Sequence, residues 1–116
     1  MTEEFRRAPR RKVSDNVPVI DTMTDRTVGR LSNVSETGML LIANVPLVED
    51  ALYQFRFNLG GPADSDSAIE VGAHLLWQDA AHASEQTWTG FRFITLLEDQ
   101  MKQLREWLEA PESSYE

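Results

Sequence analysis

The chain has 116 residues, carries a formal net charge of -8 and contains no cysteine. Its length suits one domain, which at this size buries roughly two thirds of its unfolded-chain surface without staples. The missing cysteines exclude disulfides, thiol nucleophiles and thiolate metal sites, and fit a reducing, cytoplasmic setting. No apolar run reaches the roughly 18 residues of a membrane span.

The average charge hides an asymmetry. Residues 1–12 hold five cations and two anions, whereas the rest of the chain holds six cations and seventeen anions. A binder of polymeric nucleic acid spreads basic charge over a face of its body, because phosphates repeat along the polymer. One basic segment on an acidic body suits a small anion better, and also fits a solvated tail. Residues 1–12 lack hydrophobic periodicity, and Pro9 disfavours a helix there, so a flexible arm is expected.

Short strands follow. Val17 to Met23 is the first candidate, with a turn at Asp25-Arg26 and a second strand from Thr27 to Val34. Gly38 to Asn44 contains an apolar run of strand length. Tyr53, Phe55, Phe57 and Leu59 alternate with polar residues, the period of a half-buried strand. Leu59 to Ser67 reads as a polar loop. Ile69, Val71, Ala73, Leu75 and Trp77 alternate again, and Trp88 to Ile94 is rich in aromatic and β-branched residues.

The period then changes. Leu97, Met101, Leu104 and Leu108 are spaced for one face of a helix. Thr95 with Glu98 matches a capping box, and Pro111 follows the helix end. Six strands and one terminal helix predict an all-β fold, a small antiparallel barrel that leaves no open edge. The expected organisation is an arm over 1–12, a barrel with its helix over 13–110, and an acidic tail over 111–116.

Two segments carry binding chemistry. Arg6, Arg7, Arg10 and Arg11 form two pairs spaced four apart, Arg6 with Arg10 and Arg7 with Arg11. Guanidinium matches phosphate oxygens bidentately and matches the O6 and N7 acceptors of guanine. Asn33-Val34-Ser35-Glu36-Thr37-Gly38 lies between two strand-like runs. Asn33 and Ser35, two apart in an extended segment, point the same way and can both donate and accept. Gly38 permits positive φ or a close backbone approach to a ligand. The competing reading is an ordinary turn in which Asn and Ser bond their own backbone.

Together the two segments resemble the PilZ domain, the bacterial receptor for cyclic di-GMP, with its Arg-x-x-x-Arg and Asp/Asn-x-Ser-x-x-Gly motifs. Arg6-Arg7-Ala8-Pro9-Arg10 matches the first motif and Asn33 to Gly38 the second. Gly72 to Trp77 resembles the late strand of the family and Gly90-Phe91-Arg92-Phe93 its last strand. The likeness spans Glu4 to Leu108. The resemblance implies a six-stranded antiparallel barrel of PilZ type with ligand bound across its outside, held by Arg6, Arg10, Asn33, Ser35 and Gly38. Arg7-Ala8-Pro9-Arg10-Arg11 also fits the arginine motif, so Arg7 or Arg11 can join. The Arg6/Arg10 register is preferred because Pro9 precedes Arg10. The residue before the motif, Phe5 or Arg6, leaves one ligand or two open. Trp77 offers an aromatic surface at the site edge, although its alternation with Ile69 to Leu75 argues for the core.

The implied function is a stand-alone cyclic di-GMP effector that relays the signal to a protein partner in motility, pilus or exopolysaccharide control, without cofactor. The first alternative is a nucleotide-independent interaction adaptor of the same fold. The second is a barrel for single-stranded nucleic acid, with Tyr53, Phe55 and Phe57 as stacking platforms, which the acidic body disfavours. An enzyme is not expected. His74 and His82 lack a third ligand, Asp64 and Asp66 lack the rest of a calcium loop, and Ser35 has no base beside it. Trp88 and Trp107 read as packing residues.

Overall fold

A computed structural model describes residues 10–13, 16–59, 68–80 and 86–110. Residues 60–67 of the expected loop and the acidic tail lie outside these residues, as do Arg6, Arg7 and His82. Among the described residues, seven strands and one helix occur in the order β1 (Arg11–Lys12), β2 (Pro18–Asp21), β3 (Arg26–Val34), β4 (Gly38–Ala43), β5 (Leu52–Asn58), β6 (Ala68–Ala80), β7 (Thr87–Leu96) and α1 (Glu98–Leu108).

Every strand pairing is antiparallel, and the order β3-β2-β5-β6-β7-β4 closes through β3 with β4 into a six-stranded barrel. The short β1 pairs with β3 along the same edge as β2, just beyond the point where β2 ends. The arm expected over 1–12 is therefore a strand by Arg11 and Lys12. The first turn falls at residues 22–25, slightly before its expected place, and Arg26 already belongs to β3. Asp21 accepts the Met23 backbone N–H at 2.9 Å, and Asp25 supplies the left-handed residue with φ 59°, the usual role of aspartate in turns.

The barrel interior is filled by the alternating faces read from the sequence. Val19, Leu31, Met39, Leu41, Ile69, Val71, Ala73 and Leu75 are buried. Phe55 and Phe91 cross perpendicularly with ring centroids 5.0 Å apart, a favoured aromatic arrangement. Phe55 and Phe57 thus belong to the core. Tyr53 lies parallel to Phe55, and its hydroxyl accepts the Val48 N–H. These residues are not the open stacking platforms a single-stranded nucleic acid needs.

The C-terminal helix packs against the barrel through buried Leu104 and Leu108. Its start differs from expectation. Thr95 still pairs with Gly72 in the β-ladder, two residues short of the cap position, so Glu98 is the first residue of the helix rather than the third that the capping box requires. Leu97 is the N-cap, has no side-chain cap bond and stands exposed rather than on the packed face. Trp88 also lies on the exposed side, paired with Ile42 and Asp79, in place of the expected packing role.

Candidate functional site

The second motif is built around a strand irregularity. In β3 the register with β4 shifts between Leu31 and Asn33, which pair with Leu41 and Leu40 respectively. A bulge of this kind inserts one residue and changes which face the following side chains present. Leu31 fills the core, whereas Asn33 lines an outer groove with Leu40.

The same device operates in β6. The ladder with β7 shifts between Leu75, opposite Phe91, and Trp77, opposite Gly90. Strict alternation would carry Trp77 into the core beside Leu75. The bulge absorbs Leu76 instead, and Trp77 is turned outward with 46% of its surface exposed. This corrects the core assignment that alternation favoured. Its indole lies over Gly90, where any Cβ would overlap Nε1.

Register then assembles one row across four strands: Asn33 on β3, Leu40 on β4, Gly90 on β7 and Trp77 on β6. Three interstrand spacings separate its ends, about 14 Å. The row forms the floor of an open groove of about 310 Å³, lined also by Arg10, Met39, Leu76 and Phe91. Arg10 stands at the Asn33 end and donates from Nη1 to Asn33 Oδ1 at 3.0 Å, across 23 residues of sequence. A polar, cationic end and an aromatic end thus share one concavity.

Ser35 behaves differently. It is buried, and its Oγ accepts the Thr37 backbone N–H at 3.2 Å and lies 3.4 Å from the Gly38 carbonyl. Its backbone N–H also bonds that carbonyl at 2.9 Å. Ser35 therefore closes the turn through its own motif, whereas Asn33 bonds Arg10 rather than its own backbone. Gly38 opens β4 within this turn, and its need for glycine comes from packing: a Cβ would overlap the Phe91 carbonyl oxygen of β7. That close approach is to a neighbouring strand.

Arg11 points away from the groove. Its guanidinium lies 3.9 Å from the Trp107 ring centroid and donates through Nη1 to the Trp107 carbonyl at the end of α1. The spacing fits Arg11 to a second register of the arginine motif and gives no sign of this partner, 96 residues away. The arm's Arg6 and Arg7 lie outside the described residues.

His74 Nε2 lies 2.5 Å from Asp50 Oδ1, a pairing that ties β6 to the loop before β5. Among the described residues no group of three metal-binding side chains occurs, and no helix is long and apolar enough to cross a membrane.

The described residues thus form a closed six-stranded barrel with a terminal helix and a groove on its outer wall. The PilZ domain family model matches residues 4–110, so the chain belongs to the PilZ domain family. Membership makes it a binding module rather than an enzyme. Its fold is similar to the PilZ domain with c-di-GMP of YcgR from Escherichia coli, with TM-score 0.62 and 19% identity over 86% of each chain. It is also similar to the Bacillus subtilis inhibitor of motility MotI/DgrA, with TM-score 0.68 and 12% identity, over 92% of this chain and 49% of that one. YcgR in complex with c-di-GMP from Escherichia coli is similar as well, with TM-score 0.64 and 20% identity, over 87% of this chain and 43% of that one. The chain spans under half the length of those two longer proteins. No curated protein matches it.

Proposed function

We propose that this PilZ domain binds cyclic di-GMP in the outer groove and passes the signal to a protein partner. One observation carries the reading: Arg10, from the arginine motif, and Asn33, from the second motif, meet at the mouth of a groove whose other end is the Trp77 indole. Cyclic di-GMP offers two phosphates and two guanines. Guanidinium recognises both, through bidentate hydrogen bonds to phosphate or to O6 and N7. Arg10 takes this role, with Arg6 as the second arginine of the motif. Asn33 bonds a guanine edge or the neighbouring phosphate, and Trp77 supplies a face on which a purine stacks. Ser35 and Gly38 act behind them by fixing the turn that aims Asn33. The solved relative from Escherichia coli with c-di-GMP supports this assignment through the shared fold.

Arginine contacts to phosphate are charge-assisted, so affinity falls as salt rises. The partner belongs to motility, pilus or exopolysaccharide control, and the setting is the cytoplasm. Calorimetric titration with cyclic di-GMP tests the reading, with Arg10→Ala and Asn33→Ala alongside. Binding that each substitution weakens at least tenfold supports it. A saturating titration without heat or NMR shifts overturns it and leaves the nucleotide-independent adaptor.

A further inference from the structure

Two contacts connect the motifs to the far end of the helix. Arg11, next in sequence to the groove-lining Arg10, lies over Trp107 and donates to its carbonyl. From the second motif, Glu36 accepts Arg105 Nε at 3.1 Å. Arg105 and Trp107 are two residues apart in the last turn of α1. Both elements that frame the groove are therefore tied to one turn of a helix that lies outside it.

The chemistry of the Arg11 contact is specific. The last carbonyls of a helix lack intrahelical donors and carry partial negative charge, so a cation there is favourable. A guanidinium over an indole adds a cation–π attraction. Arg11 satisfies both at once, and it does so from β1, whose ladder with β3 places Lys12 opposite Asn33. Neighbouring residues of an extended strand point to opposite sides. Arg10, just before β1, lines the groove, and Arg11, the first residue of β1, lies against Trp107 instead. The two neighbouring arginines are thus divided into one that lines the groove and one that meets α1.

We propose that Arg11 is a positioning residue that couples the groove to the C-terminal turn of α1, and is not a ligand contact. This rests on the cyclic di-GMP reading above and deepens it: the arginine register is Arg6 with Arg10, and the last turn of α1 is where occupation of the groove is felt. Tightening of Arg10 on a ligand pulls on β1, and the Arg11 guanidinium carries that movement to Trp107.

The test uses the full chain, with the three tryptophan indole N–H resonances assigned by single Trp→Phe substitutions. Without ligand, Arg11→Ala should shift the Trp107 indole resonance and speed amide exchange in the last turn of α1, leaving the Trp77 resonance in place. Arg11→Lys, which keeps the charge but loses the planar stack, should restore the exchange rates in part. On titration with cyclic di-GMP, the wild type should show ligand-dependent movement at Trp107. Arg11→Ala should bind within about threefold of wild type and lose that movement, while Arg10→Ala loses at least tenfold in affinity. An Arg11→Ala loss as large as that of Arg10→Ala overturns the proposal, because Arg11 is then a ligand contact. An unshifted Trp107 resonance in ligand-free Arg11→Ala overturns it as well. A wild type blind to cyclic di-GMP sinks the ligand reading and the coupling with it, and a ligand-free shift would then identify Arg11 as a fold clamp alone.

Discussion

The indole of Trp77 occupies the space above Gly90 that any other residue would need for its own side chain. The pair lies at the aromatic end of the groove, opposite each other in the β6–β7 ladder. Gly90→Ala must therefore push the ring off its seat, and a side chain can swing where a backbone cannot. The variant should remain folded, losing no more than about 1–3 kcal/mol. Its Trp77 indole resonance should move and cyclic di-GMP affinity should fall. An unmoved Trp77 resonance would contradict the packing.

Gly38 provides the contrast. A Cβ there meets the Phe91 carbonyl oxygen, part of the β7 backbone. Relief requires β4 to move away from β7, which opens the barrel wall. Gly38→Ala should cost more than Gly90→Ala, at or above the upper end of the roughly 1–3 kcal/mol seen for overpacking. Paired thermal melts of the two alanine variants check the order.

Arg10 and Asn33 should be energetically coupled before any ligand arrives. Asn33 is buried, and its Oδ1 accepts a charged donor. Hydrogen bonds to charged groups contribute about 1.5–3 kcal/mol. Asn33→Ala and Arg10→Ala should each destabilise the fold, and the double variant should cost less than their sum. A double-mutant cycle by urea denaturation reads the coupling, expected at about 0.5–3 kcal/mol. Additive single effects would show that the pair does not interact.

Ser35→Ala separates the turn from the ligand. Its hydroxyl bonds Thr37 and Gly38 within its own motif. Loss of a buried hydrogen bond should cost about 1 kcal/mol, seen as a lowered Tm. Cyclic di-GMP affinity should fall less than it does in Asn33→Ala. Equal losses in titration calorimetry would instead make Ser35 a direct contact.

Leu104 anchors α1 to the barrel from a fully buried position. Leu104→Ala should cost about 2–5 kcal/mol. Hydrogen exchange should show the helix amides, rather than those of β5 and β6, losing most protection.

Much of the barrel was legible because its strands alternate. Phe55 and Phe57 on β5, and Ile69 to Leu75 on β6, occupy the faces their spacing implied. The bulges beside Asn33 and Trp77 were not legible. Nothing in Leu31-Ser32-Asn33 or Leu75-Leu76-Trp77 announces an extra residue, because a bulge answers to the partner strand's register. Yet those bulges turn Asn33 and Trp77 to the outer wall, so a pure period-2 reading sent Trp77 to the wrong face. The capping box failed for a related reason: pairing of Thr95 with Gly72 overrode a local signal. The spacing of the arginines showed that two registers fit. Only a partner at residue 107 distinguishes Arg11 from Arg10.

The position of β1 makes the basic segment a seam as well as a charge store. β2 covers one stretch of β3, and Arg11 and Lys12 cover the next, opposite Val34 and Asn33. Trimming the chain past residue 12 would strip donors and acceptors from the very backbone that carries Asn33, leaving an adhesive rim for foreign strands. A shortened protein that clumps and ignores nucleotide would then report a torn hem, whereas charge reversal at intact length would report on recognition itself.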